Sequence, residues 1–140
     1  MSFRSAALGR RADSTMEIDV TRPTRVLVAD DQARTRQSLR AWLTAELPPM
    51  EVLEAATGWE ALEHVQRHLP DLVIMDARMD ELDGIEATRI IKARHPQVKV
   101  VVLSLYSSYE TEAWAAGADA FVTKDEQPER LLATLTRLLT

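Results

Sequence analysis

Four short, largely apolar segments of this chain are each followed by a residue that could take part in chemistry. These residues are two adjacent aspartates, a third aspartate, a serine and a lysine: Asp30, Asp31, Asp76, Ser104 and Lys124. Short runs rich in β-branched residues are typical of buried parallel strands, and the carboxyl ends of such strands line one edge of an open α/β sheet. The sequence therefore predicts that three carboxylates, a hydroxyl and an ammonium lie close together.

This set of groups is suited to a divalent cation and a phosphoryl group. Magnesium prefers oxygen ligands, and clustered carboxylates bind it well because the cation relieves their mutual repulsion. A carboxylate in such a site could attack phosphorus and form an acyl phosphate. An ammonium and a hydroxyl would then face the negative charge of the transferred group. We therefore expect a Mg²⁺ site in which one aspartate accepts a phosphoryl group.

Segments with strand character and helix character alternate five times from Arg25 onward. The predicted strands are 25–29, 51–55, 72–75, 98–103 and 119–123, with helices between them and a final helix that starts near Pro128. This alternation favours parallel strands joined by right-handed crossovers. The expected fold is α/β: a single doubly wound, five-stranded parallel sheet flanked by helices, of the flavodoxin-like kind.

The fourth helix carries three local predictions. Ser108 is a candidate N-cap because its hydroxyl could accept a hydrogen bond from the first helical turn. Gly117 is expected to end the helix in the left-handed conformation, which glycine adopts without a steric penalty. Trp114 is expected to pack inward beside Ala113 and Ala116.

Composition limits the classes of protein that this chain can belong to. Its 140 residues are enough for one domain, predicted at 25–140, and residues 1–24, with four arginines and no lysine, are expected to form a flexible N-terminal extension. The chain has no cysteine, which excludes disulfides and thiolate chemistry and fits a cytoplasmic location. A net charge of −5 argues against direct nucleic acid binding. No apolar stretch approaches the ~20 residues of a membrane span, so no membrane partner is expected.

Four segments of the sequence resemble the receiver domain of bacterial two-component response regulators. They are VLVADDQ around the acidic pair, LVIMDARMDELDGIEATR around the third aspartate, VVLSLY around the serine, and AGADAFVTKDE around the lysine. The resemblance covers about residues 25–140. The last two segments, in which Asp125 rather than proline follows Lys124, are most similar to receivers attached to helix-turn-helix output domains of the nitrate-regulator type.

The resemblance implies a role for each residue of the predicted metal site. Asp76 corresponds to the phosphoacceptor. Asp31 corresponds to the direct Mg²⁺ ligand, and Asp30 to its partner, acting through water. The backbone carbonyl of Arg78 would complete the protein ligands of the ion.

The other correspondences concern the phosphoryl group and the switch that it controls. Ser104 and Lys124 resemble the pair that contacts the phosphoryl group, and Phe121 matches an aromatic switch residue that is expected to turn inward after phosphorylation. The implied phosphodonor is a sensor histidine kinase or a histidine phosphotransfer protein. The surface made by the fourth helix, fifth strand and fifth helix would then change its partners, with homodimer formation as one outcome. Such a domain is not an enzyme in the usual sense, because it catalyses only its own phosphorylation and dephosphorylation.

Two alternatives use the same groups. A Mg²⁺-dependent phosphatase with an aspartyl nucleophile would normally have a second carboxylate two residues after the nucleophile, where this chain has Arg78. The chain could also be the receiver half of a DNA-binding transcription regulator rather than a stand-alone receiver. One departure from the family pattern lies in the loop after Asp76, where Asp80 replaces a proline that many receivers carry.

Overall fold

The computed structural model of the protein describes residues 22–140, in which strands and helices alternate. The strands are β1 (Thr24–Ala29), β2 (Met50–Ala55), β3 (Leu72–Asp76), β4 (Lys99–Ser104) and β5 (Ala120–Thr123). The helices are α1 (Ala33–Glu46), α2 (Gly58–His68), α3 (Gly84–Arg94), α4 (Glu110–Ala115) and α5 (Pro128–Leu139). A 3₁₀ turn, Ser107–Tyr109, leads into α4. The predicted extension at 1–24 lies outside the described residues up to residue 21.

The five strands form one parallel sheet in the order β2-β1-β3-β4-β5, which confirms the predicted doubly wound fold. The chain winds from β1 to β2 on one side and from β3 to β5 on the other, so the winding direction reverses between β1 and β3. In α/β sheets a ligand crevice forms at the carboxyl ends of the two strands that flank such a reversal. Here these strands lead into Asp30 and Asp31 and end at Asp76.

The register aligns the carboxyl ends of the strands. The neighbouring pairs at these ends are Ala29 with Met75, Asp76 with Leu103, and Ser104 with Thr123. Each residue predicted to do chemistry is therefore a member of one of these pairs or lies within two residues of one. The sheet alone brings the four segments to a common edge.

Helices cover both faces of the sheet, which explains why the three central strands β1, β3 and β4 have continuous apolar runs instead of alternating apolar and polar residues. On one face, side chains such as Leu27 pack with residues of α2, α3 and α4. On the other face, side chains such as Val28 pack with Leu43 of α1 and Leu135 of α5. The strands are thus fixed from both sides, so the positions of their ends are fixed as well.

The start of α4 differs from the prediction. The chain enters this helix through the 3₁₀ turn, so Tyr109, at the N-cap position, already has helical backbone angles of φ −84° and ψ −3°. A capping hydroxyl needs an extended residue before the first turn, and Ser108 lies within the 3₁₀ turn instead. The N-cap prediction for Ser108 is therefore wrong. At the other end of the helix the prediction is confirmed, because Gly117 has a φ of +96°.

The predicted inward packing of Trp114 is also wrong, since this residue is 49% exposed. Ala113 and Ala116 are buried and occupy the inward side of α4. Trp114 follows Ala113 directly, and adjacent helical residues point about 100° apart. Its indole N–H donates to Glu110 Oε2 across 3.2 Å, so the ring lies along the surface of the helix.

Gly84 begins α3 where the backbone passes directly over the end of β3. A Cβ atom at this position would overlap the carbonyl oxygen of Asp76. The Gly84 N–H donates to the Ala77 carbonyl across 3.0 Å, and the preceding Asp83 caps α3 by accepting a hydrogen bond from the Glu86 N–H. The loop from β3 to α3 is therefore drawn tightly against the residue that closes the strand.

We expect Gly84→Ala to destabilise the fold by about 3 kcal/mol, because a methyl group cannot fit against a backbone carbonyl unless α3 or β3 moves. Gly117→Ala is the matched control. A Cβ there would be 3.3 Å from the flexible side chain of Lys92, which must shift by only a few tenths of an ångström, so the main cost is the left-handed backbone, about 1–2 kcal/mol. Urea denaturation measures both free energies of unfolding, and equal losses would contradict the packing argument.

Candidate functional site

The carboxyl edge of the sheet brings the predicted acidic residues together with the lysine. One carboxylate oxygen from each of Asp30, Asp31 and Asp76 lies within 4.8 Å of the other two. The Lys124 Nζ lies 3.1 Å from Asp30 Oδ2 and 3.6 Å from Asp76 Oδ1. Lys124 follows β5, and β4 lies between β5 and β3, so its long side chain spans one strand to reach the carboxylates.

Asp30 is held on all sides. Its side chain is only 3% exposed, with Oδ1 accepting a hydrogen bond from the Gln32 N–H across 2.8 Å and Oδ2 accepting one from Lys124. Its backbone carbonyl accepts a further hydrogen bond from Arg36 Nη1 across 2.7 Å. Asp31 is exposed at the mouth of the site. The adjacent aspartates therefore differ in character, one buried and fixed, the other facing solvent.

The pKa of Asp76 is shifted from its ordinary value. Burial raises the pKa of Asp76 to about 6, and the Asp30 carboxylate adds to the rise, while Lys124 and a backbone hydrogen bond from Arg78 oppose it. When all three carboxylates are ionised they face one ammonium, so two negative charges among these four groups lack compensation. The site consequently favours uptake of a proton or a cation.

The donor set fits Mg²⁺. Magnesium binds oxygen at about 2.1 Å, so two ligands of one ion are at most about 4.2 Å apart. The carboxylate oxygens of Asp30, Asp31 and Asp76 lie within 4.8 Å of one another, and a small approach or one bridging water would close the difference. These residues could hold a hard divalent cation beside Asp76.

Ser104 closes β4 and is 2% exposed. It follows Leu103, which pairs with Asp76 across the sheet. Its Oγ accepts a hydrogen bond from the Tyr106 N–H across 3.1 Å. In this state the hydroxyl therefore holds the loop that leads from β4 to α4.

Phe121 is 6% exposed and packs in the core on the side of α3 and α4. The expected inward turn after phosphorylation presupposes an outward resting position, whereas this structure has the ring already inside. A switch role for Phe121 stays a prediction, and any movement from this state would have to be outward or within the core.

The side chain of Arg78 leaves the site and reaches Tyr109. Its guanidinium donates to the Tyr109 hydroxyl and lies 5.9 Å from the centroid of the ring. This contact ties the loop after β3 to the 3₁₀ turn before α4. Sequence reasoning missed Tyr109, because the two residues are 31 positions apart and no motif joins them. The metal-ligand role of the Arg78 carbonyl stays a prediction.

A second contact that sequence reasoning missed lies behind the acidic pair. The Glu54 carboxylate of β2 binds Arg36 Nε at 3.0 Å through one oxygen and Arg40 Nε at 2.8 Å through the other. Hydrogen bonds from Arg40 and Arg36 hold the pKa of Glu54 below its usual value. The spacing of four between the arginines indicates a shared helix face. No spacing in the sequence indicates that their partner is Glu54, because this residue lies in β2 and not on the same helix.

Residues 26–136 match the family model of the response regulator receiver domain. The chain therefore belongs to the receiver domains of two-component systems, as the resemblance predicted. Among residues 22–140, no helix has both the length and the apolar character that crossing a membrane requires.

Individual relatives agree with this membership. The transcriptional regulatory protein YhcZ of Bacillus subtilis is 39% identical over 112 residues, which are 79% of this chain and 52% of that protein. A LuxR-family response regulator structure from Aurantimonas is 28% identical with a TM-score of 0.78, covering 84% of this chain and 85% of that one. The response regulator TrrA of Thermotoga maritima, solved in complex with Mg²⁺-BeF, is 32% identical with a TM-score of 0.76, covering 83% and 99%. The chain spans about half the length of the first curated relatives that it matches.

We expect Asp76→Asn to stabilise the metal-free protein at about pH 7.5 by about 2–3 kcal/mol. Because its folded-state pKa is raised from 3.8 to about 6, Asp76 holds its proton more tightly in the folded state. Its ionisation therefore lowers the free energy of unfolding as the pH rises through this window. The gain in the variant should be complete above about pH 6 and absent below about pH 4.

Urea denaturation in the presence of EDTA at both ends of this window measures the effect. Asp80→Asn, in the exposed part of the same loop, is the control and should gain no stability between the two pH values. A gain from Asp76→Asn that does not change with pH would contradict the electrostatic explanation.

Proposed function

We propose that this receiver domain accepts a phosphoryl group on Asp76 from the phosphohistidine of a sensor histidine kinase or a histidine phosphotransfer protein, with Mg²⁺ bound beside it. The observation that carries the proposal is one ammonium between two carboxylates, with Lys124 Nζ 3.1 Å from Asp30 and 3.6 Å from Asp76, next to the carboxylate of Asp31. Nucleophile, cation ligands and a positive group for the transferred phosphoryl thus lie within a few ångströms.

In the proposed transfer, an ionised oxygen of Asp76 attacks phosphorus, and the P–N bond to the donor imidazole breaks with its electron pair staying on nitrogen. The product is an acyl phosphate on Asp76 and a free histidine. With a pKa of about 6, Asp76 is mostly ionised at neutral pH. Bound Mg²⁺ would offset the charge of the phosphoryl oxygens. Lys124 can turn from Asp76 to a phosphoryl oxygen while it keeps its hydrogen bond to Asp30.

Hydrolysis reverses the state without a second protein. Water attacks phosphorus, the P–O bond to Asp76 breaks, and inorganic phosphate leaves. The domain in this proposal catalyses its own phosphorylation and dephosphorylation and turns over no separate substrate. Arg78 stands where a phosphatase with an aspartyl nucleophile would carry its second carboxylate, which disfavours that alternative.

The proposed switch begins at Ser104. Its hydroxyl now accepts a hydrogen bond from the Tyr106 N–H, and we propose that Ser104 turns toward a phosphoryl oxygen, gives up this hydrogen bond and so releases the loop after β4. The loop carries Leu105 and Tyr106, both 61% exposed, and leads to α4 with its exposed Trp114. We propose that phosphorylation changes the surface made by α4, β5 and α5 and thereby favours a homodimer. A nearly complete shift between two pre-existing states requires about 5 kcal/mol of preference.

Two of the comparison proteins support parts of this proposal. TrrA was solved with Mg²⁺ and a beryllium fluoride group, and YhcZ is a transcriptional regulatory protein of about twice the matched length. In a longer protein of the latter kind, the same switch would control a DNA-binding output domain. We propose a cytoplasmic location, in which a kinase that uses ATP can supply the phosphohistidine.

Acetyl phosphate with Mg²⁺ should add one phosphoryl group to the native chain, as measured by intact mass. Asp76→Asn should remove the label because it removes the nucleophile. Asp80→Asn, four residues away in the same loop, should leave the label in place. Equal labelling of the native protein and Asp76→Asn would overturn the assignment, and sustained turnover of a small phosphate ester would favour the phosphatase instead.

Beryllofluoride with Mg²⁺ should shift the native protein to an earlier elution volume, as expected for a dimer. Trp114→Ala should weaken this shift because it removes an exposed aromatic ring from the proposed surface. Trp59→Ala is the matched control, since Trp59 is 57% exposed but lies on α2. Fluorine NMR confirms that beryllofluoride is bound in each case. A bound protein that stays monomeric, or equal loss in both variants, would contradict the proposed surface.

A further inference from the structure

We infer that Arg36 is a positioning residue for the acidic site: through its hydrogen bond to the Asp30 carbonyl, it fixes the turn that presents Asp30 and Asp31 to a cation. This inference rests on the proposed function. Arg36 acts on the backbone between β1 and α1 and not on the carboxylates themselves, with Nη1 2.7 Å from the Asp30 oxygen. Its role is distinct from that of Lys124, which pairs directly with both carboxylates.

The turn in question is short, and its other anchors are the Asp30 N–H, which donates to the Ala55 carbonyl across 3.0 Å, and the Asp30 side chain, which accepts from the Gln32 N–H and from Lys124. Only three residues, 30–32, separate β1 from α1. Within residues 22–140, α1 begins without a side-chain cap, because Gln32 at the N-cap position makes no such hydrogen bond. The side chain of Asp31 is exposed, so the backbone of this turn sets the region that its carboxylate can reach. The hydrogen bond from Arg36 therefore supplies an anchor that a capping side chain would otherwise provide.

Arg36 is itself held in place from the neighbouring strand. Glu54 lies in β2 opposite Val28 of β1, and its carboxylate takes Arg36 Nε at 3.0 Å. The Arg36 side chain is 17% exposed, so part of this ion pair is screened from water. The planar guanidinium binds Glu54 through Nε and the Asp30 carbonyl through Nη1, two separate nitrogens in a fixed arrangement, whereas a lysine would have to reach both acceptors from a single nitrogen. A continuous chain of contacts thus runs from β2 to the metal-binding turn.

Arg40 provides a natural matched control. It lies one turn later on α1 and binds the other oxygen of the same Glu54 carboxylate at 2.8 Å. Its Nη2, however, donates to the Val52 carbonyl of β2 across 2.9 Å instead of to the turn. Removing Arg40 therefore removes the same charge from the same network and leaves the hydrogen bond to Asp30 in place.

The test is the Mg²⁺ affinity of the native chain, Arg36→Met, Arg36→Lys and Arg40→Met, measured by isothermal titration calorimetry. We expect Arg36→Met and Arg36→Lys to weaken Mg²⁺ binding about tenfold, as loss of an outer-shell partner of a metal ligand commonly does. Arg40→Met should stay within about twofold of the native protein. In phosphorylation by acetyl phosphate, the Arg36 variants should need about tenfold more Mg²⁺ for half-maximal rate, while the rate at saturating Mg²⁺ changes little.

The lysine variant separates position from charge. If Arg36 acted only through its positive charge, Arg36→Lys would bind Mg²⁺ like the native protein and Arg36→Met would bind it more tightly, and this result would overturn the inference. Equal affinities for Arg36→Met and Arg40→Met would also overturn it. If Arg36→Met does not fold, as judged by circular dichroism, Arg36→Lys and Glu54→Gln carry the test. Failure of the native chain to bind Mg²⁺ would instead remove the proposed function, which distinguishes the two failures.

Discussion

Carboxylates that repel one another are kept within 4.8 Å by a rigid frame, and the rest of the structure serves this constraint. The frame is a sheet buried on both faces, so the ends of β1 and β3 cannot move apart without disturbing the core. The Lys124 ammonium reaches over β4 and reduces this repulsion, but it compensates only one of the three negative charges. The pKa of Asp76 is raised mainly by burial, and the neighbouring Asp30 carboxylate adds to the rise. A site in which three carboxylates face one ammonium is stabilised when it binds a cation. The bound cation would also offset the negative charge of a phosphoryl group.

Much of this arrangement could be predicted from the sequence, because parallel strands share an edge and their carboxyl ends carry the polar residues. The strand limits were predicted to within about one residue, and the convergence of Asp30, Asp31, Asp76 and Lys124 was predicted from the common edge that the carboxyl ends of parallel strands share. Contacts that depend on where two distant loops meet could not be predicted. The pairing of Arg78 with Tyr109 is of this kind, since the two residues are 31 positions apart and no motif joins them.

Local rules failed where tertiary structure changed the local conformation. Ser108 has the right chemistry for an N-cap, but the 3₁₀ turn brings the chain into α4 with helical angles already established. Trp114 is large and apolar, but α4 is only six residues long and its inward side is filled by alanines. Both failures concern the α4 region, where the sequence is shaped by an exposed surface as well as by the core.

The direction of α5 determines how a segment attached after this helix could respond to a change at Asp76. In a doubly wound fold each helix carries the chain back from the carboxyl edge of the sheet to the amino edge, and α5 has 12 residues, or about 18 Å of length. A segment joined beyond this helix would start at the opposite pole of the molecule from Asp76. Its first residues would lie far from the aspartate, so a movement of α5 against β5, or the association of two molecules, is a route by which a change at Asp76 could reach them. With this geometry, the chemistry at Asp76 could stay the same while different domains are joined after α5.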